Sequence, residues 1–126
     1  MHTLKIKTTK KEELIDITNT ISDLVKIKDG ICFIFIRHAT AALFINENES
    51  GIKDDLLKLL SNLVPETEWK HNKIDNNATS HLKANLLQNS IFIPVSNGKL
   101  MLGKWQSIFL VEFDGPRERE LVIDFK

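Results

Sequence analysis

A chain of 126 residues is long enough to bury one core of its own without metal or disulfide staples. Its 17 basic residues balance 17 acidic ones, which excludes the global positive field that draws a protein to nucleic acid or anionic lipid. The single cysteine, Cys32, excludes an internal disulfide, and no apolar run approaches the ~20 residues that cross a bilayer. The expectation is a single domain over residues 1–126, cytoplasmic, with neither nucleic acid nor membrane as partner.

In chain order, "TLKIKT" alternates Leu4 and Ile6 with polar neighbours and predicts a half-buried first strand. The next segment carries two patterns. Leu14, Ile17, Ile21, Leu24 and Val25 fit one helix, while Ile15 and Ile17 in "LIDIT" fit a second strand, with a helix beginning after Thr18 or Thr20 as cap. Gly30 then stops the element. "ICFIFIR" is apolar at successive positions and predicts a central strand buried on both faces, with an inert, buried Cys32. "AALFINE" continues as another strand, or as the same one bent at Ala39–Thr40.

"SGIKDDLLKLLSNLVP" is the clearest helix, with Ile52, Leu56, Leu59, Leu60 and Leu63 at helical spacing, Ser50 as candidate cap and Pro65 just past the end. A polar loop over 66–77, punctuated by Trp69, leads to a second helix with Asn76 or Asn77 as cap and Ala78, Leu82 and Leu86 as its apolar face. "SIFIPV", "KLMLG", "QSIFLVEF" and "ELVIDF" then predict four β segments with turns at "SNG" and "DGPRE", the last two joined as a hairpin across Asp114-Gly115-Pro116-Arg117. The class is α+β, a mostly antiparallel sheet with two to three helices packed on it.

The residues that point to chemistry are histidines. His38 shares the parity of Cys32, Ile34 and Ile36, His71 lies in the polar loop, and His81 borders the apolar face of its helix. Neutral imidazoles converging from a strand end, a loop and a helix can hold a divalent ion with one position open, although their sequence spacing matches no local ligand motif. Glu47 is a candidate general base or partner to a histidine; otherwise it is a solvated loop carboxylate. Asp54 and Asp55 point about 100° apart on their helix and read as a solvated face. Trp105 and Gln106 can line a pocket, or the indole can anchor a core. Arg117 and Arg119, flanking the last turn, are either anion-binding groups or plain surface.

Taken as an ordered series, "HATAALFINEN", "DNNATSHLKANLL" and "SIFIPVSNGKLMLGKWQSIFLVEFDGPRERELVI" resemble the YjbQ family, also called the secondary thiamine-phosphate synthase family. The resemblance is dense from Ile31 onward and weaker before it, and it favours the strand-then-helix reading of residues 14–25. It implies that His38, His71 and His81 form one catalytic and metal site, zinc being the expected ion; Glu47, read from its place after an apolar strand, is the candidate fourth catalytic group. The expected substrate contacts are Thr40, Asn46, Asn77, Lys104, Trp105, Gln106, Arg117 and Arg119. Lys104 departs from the family's usual threonine, and either pairs with a substrate phosphate or fills the pocket. The resemblance further implies a homo-oligomer, a trimer or dimer of trimers, acting on a small molecule, a phosphorylated one for the activity associated with the family.

The activity associated with the family is transfer of a pyrimidine diphosphate onto a thiazole phosphate with loss of pyrophosphate. Diphosphate chemistry ordinarily recruits magnesium through carboxylates and water, whereas imidazoles suit zinc. Two alternatives therefore stand beside the transferase: a metal-dependent hydrolase or lyase, and a non-enzymatic metal- or ligand-binding oligomer.

Overall fold

The computed structural model describes residues 1–126 as two antiparallel sheets and three helices. Strands β1 (His2–Lys7), β3 (Gly30–Ile36), β5 (Ser90–Ser96), β6 (Lys99–Leu100) and β8 (Glu118–Phe125) form a five-stranded sheet in the order β1-β8-β3-β5-β6. Strands β2 (Glu13–Asp16), β4 (Ala41–Asn46) and β7 (Ser107–Glu112) form a three-stranded sheet in the order β2-β7-β4. The helices are α1 (Thr18–Ser22), α2 (Ser50–Leu63) and α3 (Ala78–Leu86), with a single 3-10 turn at Lys70–Lys73. The α+β class is as expected, and residues 13–22 follow the strand-then-helix reading.

The packing has three layers. Alternate residues of β3, β5 and β8, such as Ile34, Ile93 and Leu121, meet Leu43, Ile108 and Leu110 of the smaller sheet in one core. Ile17 and Ile21 close one end of it. The other face of the smaller sheet, through Ala42, Phe109 and Val111, packs against Leu60 of α2, with Ala84 of α3 alongside. Fully burying each such aliphatic side chain contributes about 1.5–3 kcal/mol, so this double burial is what holds the layers.

The strand covered on both faces is therefore β7, not β3. Ile108 through Phe113 are all buried, because β7 is the middle strand of the middle layer. β3 is central in its sheet, but only Cys32, Ile34 and Ile36 are buried. Ile31 is 47% exposed, and Phe33 stacks against its cross-strand partner Phe92 on the open outer face. Cys32 is fully buried, which pushes its thiol up to about 11, as an inert core residue requires.

Several local expectations change. β7 and β8 are not a hairpin: the turn at residues 113–117 carries the chain from one sheet to the other. The expected "SNG" turn does join β5 and β6, where Asn97 and Gly98 take positive φ of 51° and 75°. The N-cap of α2 is Glu49, not Ser50; its carboxylate accepts from the Gly51 and Ile52 N–H groups, which keeps it below the usual carboxylate range. On α3 the buried residues are Ala78, Thr79, Ser80 and Lys83, while Leu82 and Leu86 are exposed. Small and hydrogen-bonded side chains let the helix sit close: Ser80 Oγ donates to the Phe113 carbonyl, and Lys83 Nζ reaches Glu12 at 2.9 Å.

Candidate active site

Glu112 shares the parity of Ile108 and Leu110, and Arg119 that of Leu121 and Ile123, so both point into the space between the sheets. They meet there, 0% and 1% exposed, as a bidentate pair in which Arg119 Nε donates to Glu112 Oε1 at 3.0 Å. Arg119 Nη2 also donates to Glu112 Oε2 and to Thr40 Oγ1. The Thr8 hydroxyl and the backbone N–H groups of Phe113 and Asp114 complete the shell around the carboxylate. Burial pushes Glu112 up, but the Arg119 and Thr8 hydrogen bonds outweigh it and hold the carboxyl below its usual range.

Arg119 is thus a buried structural cation, not an exposed anion-binding one, and the Thr40 hydroxyl is taken by it. Arg117 donates through Nε to the Asp114 carbonyl and through Nη2 to the Asp114 carboxylate. Burial pushes Asp114 up, while the Asn77 and Lys11 bonds pull its carboxyl net below the usual range.

The three histidines occupy one end of the fold without forming one cluster. His38 follows β3, and its Nε2 accepts the Glu120 backbone N–H at 2.8 Å. In the neutral ring Nδ1 must then carry the hydrogen, so neither nitrogen offers a lone pair to an ion. Burial, then the Arg119 charge, pulls His38 below the usual histidine value. His81 of α3 faces it across a cleft of about 630 Å³ that both line. On the far side of His81, the His71 ring stands edge-on at 4.6 Å between centroids. No group of three or more His, Cys, Asp or Glu side chains is arranged to hold a metal ion. One chain offers an imidazole pair, and the expected three-histidine centre does not fit it.

The cleft is lined about equally by polar and apolar groups and by no acidic or basic side chain apart from its histidines. Asn85, Gln88 and Asn89 supply amides, Ala39, Ala41 and Leu82 supply apolar walls, and no carboxylate, lysine or arginine lines it. Asn77 does cap α3 by position, yet its side chain makes no capping bond and turns to His71 and Asp114. Asn72 Oδ1 accepts the Ala78 N–H in its place, at 2.9 Å. Sequence reasoning missed Asn72, Asp114 and Glu112. Glu112 alone left a trace, as the one charge inside an otherwise apolar strand.

The remaining expected residues lie elsewhere. Ala41 pairs with Glu112 and Asn46 with Ser107, so β4 runs from the histidine end to the opposite end of the sheet. Glu47 is one residue further, ~20 Å along the strand from Ala41. Asn46 is exposed and accepts the Glu47 N–H. Gln106 folds back to accept the Gly103 N–H, Trp105 is 65% exposed, and Lys104 Nζ sits 5.0 Å above the Trp105 ring. Lys104, Trp105 and Gln106 precede Ser107, so this group shares the Asn46 end.

The family model described as UPF0047 protein YjbQ-like matches residues 2–126. A UPF0047 protein of Archaeoglobus fulgidus is 46% identical over 121 residues, covering 95% of this chain and 96% of that one. The UPF0047 protein YugU of Bacillus subtilis is 38% identical, covering 98% and 96%. Among solved structures, a YbjQ-like protein of unknown function from Sulfolobus solfataricus superposes with a TM-score of 0.95 at 43% identity, covering 98% of this chain and 94% of that one. An uncharacterized protein from Clostridium acetobutylicum gives 0.94 at 35% identity over the whole of both chains. Fold, motif order and near-complete coverage agree: the chain belongs to the YjbQ/UPF0047 family.

Proposed function

We propose that the chain is an acid–base enzyme of hydrolase or lyase type acting on a small polar molecule in the cleft between His38 and His81. The observation that carries this is the pairing of a cleft of about 630 Å³ with an imidazole on each side and three amides in its lining. Amides orient a ligand by hydrogen bonds, and imidazoles move protons near neutral pH. Asp and Glu are missing from the lining, which leaves proton transfer to His81, with His38 as a neutral donor through its Nδ1–H.

Thiamine phosphate formation is a weaker second reading. It needs positive charge at the departing pyrophosphate. Arg117 and Arg119 are bonded to carboxylates, and Lys104 lies near the Asn46 end of the sheet. Zinc would find two imidazoles at His71 and His81, with His38 committed to the Glu120 N–H.

A homo-oligomer, a trimer or dimer of trimers, gives the second group of residues a use. Glu47, Lys104, Trp105 and Gln106 reach the histidines only if the Asn46 end of one copy faces the histidine end of another. The test is turnover on a panel of small esters, amides, phosphoesters and hydroxy acids, together with the pyrimidine diphosphate and thiazole phosphate pair. Parent and His81→Ala protein are compared, with and without zinc. Turnover lost in the variant is expected; turnover that survives it overturns this site.

A further inference from the structure

Asn77 stands between two partners of different kinds. Its Nδ2 donates to Asp114 Oδ2 at 2.9 Å, and its Oδ1 lies 2.8 Å from His71 Nε2. A carboxylate only accepts, so Asp114 fixes which way the amide faces, nitrogen toward Asp114 and oxygen toward His71. An amide oxygen also only accepts, so His71 Nε2 must be the nitrogen that bears hydrogen. Nδ1 is then left with the free lone pair, on a ring that stands against His81.

Asp114 is itself held from three sides. Lys11 Nζ donates to Oδ1 at 2.6 Å and Arg117 Nη2 to Oδ2 at 3.1 Å, while its backbone N–H donates to the buried Glu112 carboxylate. The chain of contacts therefore runs from the buried ion pair to the His71 ring without a rotatable gap.

We propose that Asn77 and Asp114 are positioning residues that lock His71 in its Nε2–H tautomer and present Nδ1 as the basic nitrogen of the His71–His81 pair. This rests on the reading that the pair belongs to the functional site. The lock gives the two outer histidines opposite characters. Adding a proton to His71 at Nδ1 leaves both Asn77 bonds intact, whereas a proton on His38 Nε2 destroys its bond to Glu120. His71 therefore keeps one accepting nitrogen free, whereas His38 has none. A partner that orients an imidazole in this way ordinarily also raises its quality as a ligand or base.

The test is nuclear magnetic resonance of the full chain carrying isotope-labelled histidine, with His71→Gln to assign the ring. Long-range proton–nitrogen correlations distinguish the two tautomers directly. The parent is expected to show His71 in the Nε2–H form alone, with that hydrogen slow to exchange. In Asp114→Leu, the acceptor of the Asn77 Nδ2 bond is gone, so nothing fixes which way the Asn77 amide faces. His71 then shifts to the Nδ1–H form or to a mixture. Asn77→Ala, which leaves Lys11 and Arg117 their partner, is the second variant. It should give mixed tautomers and lose the protected hydrogen.

A parent in the Nδ1–H form overturns the proposal, as does a pure Nε2–H signal retained in both variants. A residue with only a structural role would lower stability without moving the tautomer. Turnover that survives His81→Ala would sink the site reading and leave the tautomer result standing, so the two failures are separable.

Discussion

The Glu120 N–H points its hydrogen at Nε2 of His38 across 2.8 Å, making a strand backbone the partner of the imidazole. That bond exists only while Nε2 is unprotonated. Burial and then the Arg119 charge already hold His38 below its ordinary value of 6.5. A native histidine with a depressed value contributes stability that is complete above the unfolded value. It is lost as pH falls through the folded one. Urea midpoints should therefore drop between neutral pH and pH ~5, with a loss of about 0.5–1.5 kcal/mol from this hydrogen bond. His38→Gln, whose amide oxygen accepts at any pH, should flatten that part of the profile. An unchanged slope would remove His38 as its source.

The Glu112–Arg119 pair makes a second prediction. Arg119→Met leaves a carboxylate in the core without its cation, and breaking a buried pair from one side costs about 3–5 kcal/mol. Adding Glu112→Gln removes the stranded charge but keeps an acceptor for Thr8, so the double variant should recover much of the loss. Equilibrium unfolding of the parent, the single and the double variant measures it. A double variant no better than Arg119→Met would mean that charge burial is not the main cost.

At Gly115 the constraint is space. A Cβ there would stand 2.2 Å from the Lys10 carbonyl oxygen, 2.8 Å from Glu112 Cγ and 2.9 Å from Thr8 Oγ1. Gly115→Ala should destabilise the chain by about 1–3 kcal/mol through overpacking. Because the displaced atoms belong to the Glu112 shell, it should also disturb the His71 signals at a distance. Thermal unfolding together with the histidine spectra tests both parts.

Zinc content separates the histidines. Zinc taken up from added salt should fall in His71→Ala and His81→Ala but persist in His38→Gln, by elemental mass spectrometry of tag-free protein. Equal loss in His38→Gln would show that His38 gives up the Glu120 N–H when an ion is bound.

Much of this was legible beforehand. Strand alternation, the helix of residues 50–63 and the Asn97–Gly98 turn follow from local periodicity and turn chemistry, which act over a few residues. Which sheet each strand joined was not, since β7 and β8 look like hairpin partners until the turn between them is seen to change layers. The α3 face was misjudged because leucine at steps of four outweighs Ser80 and Lys83 in a pattern, whereas close approach and ion pairing decide the packing. In the candidate site, His38 and His81 line one cleft, while His71 stands beside His81 outside it. Glu47 does not join them, because only strand register reveals that β4 carries it to the other end. Arg119 looked exposed because its neighbours Arg117 and Glu118 are, and one residue of parity reverses that.

The buried ion pair has one more effect, on alignment. Sliding β8 by a single position would turn Arg119 outward and drive Glu118 and Glu120 toward the Glu112 carboxylate, like charge against like charge. The pair therefore acts as a key that admits one alignment of β8 with β1 and β3. The backbone that this key sets is the one whose next N–H meets His38. A misaligned chain would lose its chemistry at the first wrong step, while most of its hydrophobic contacts could still form.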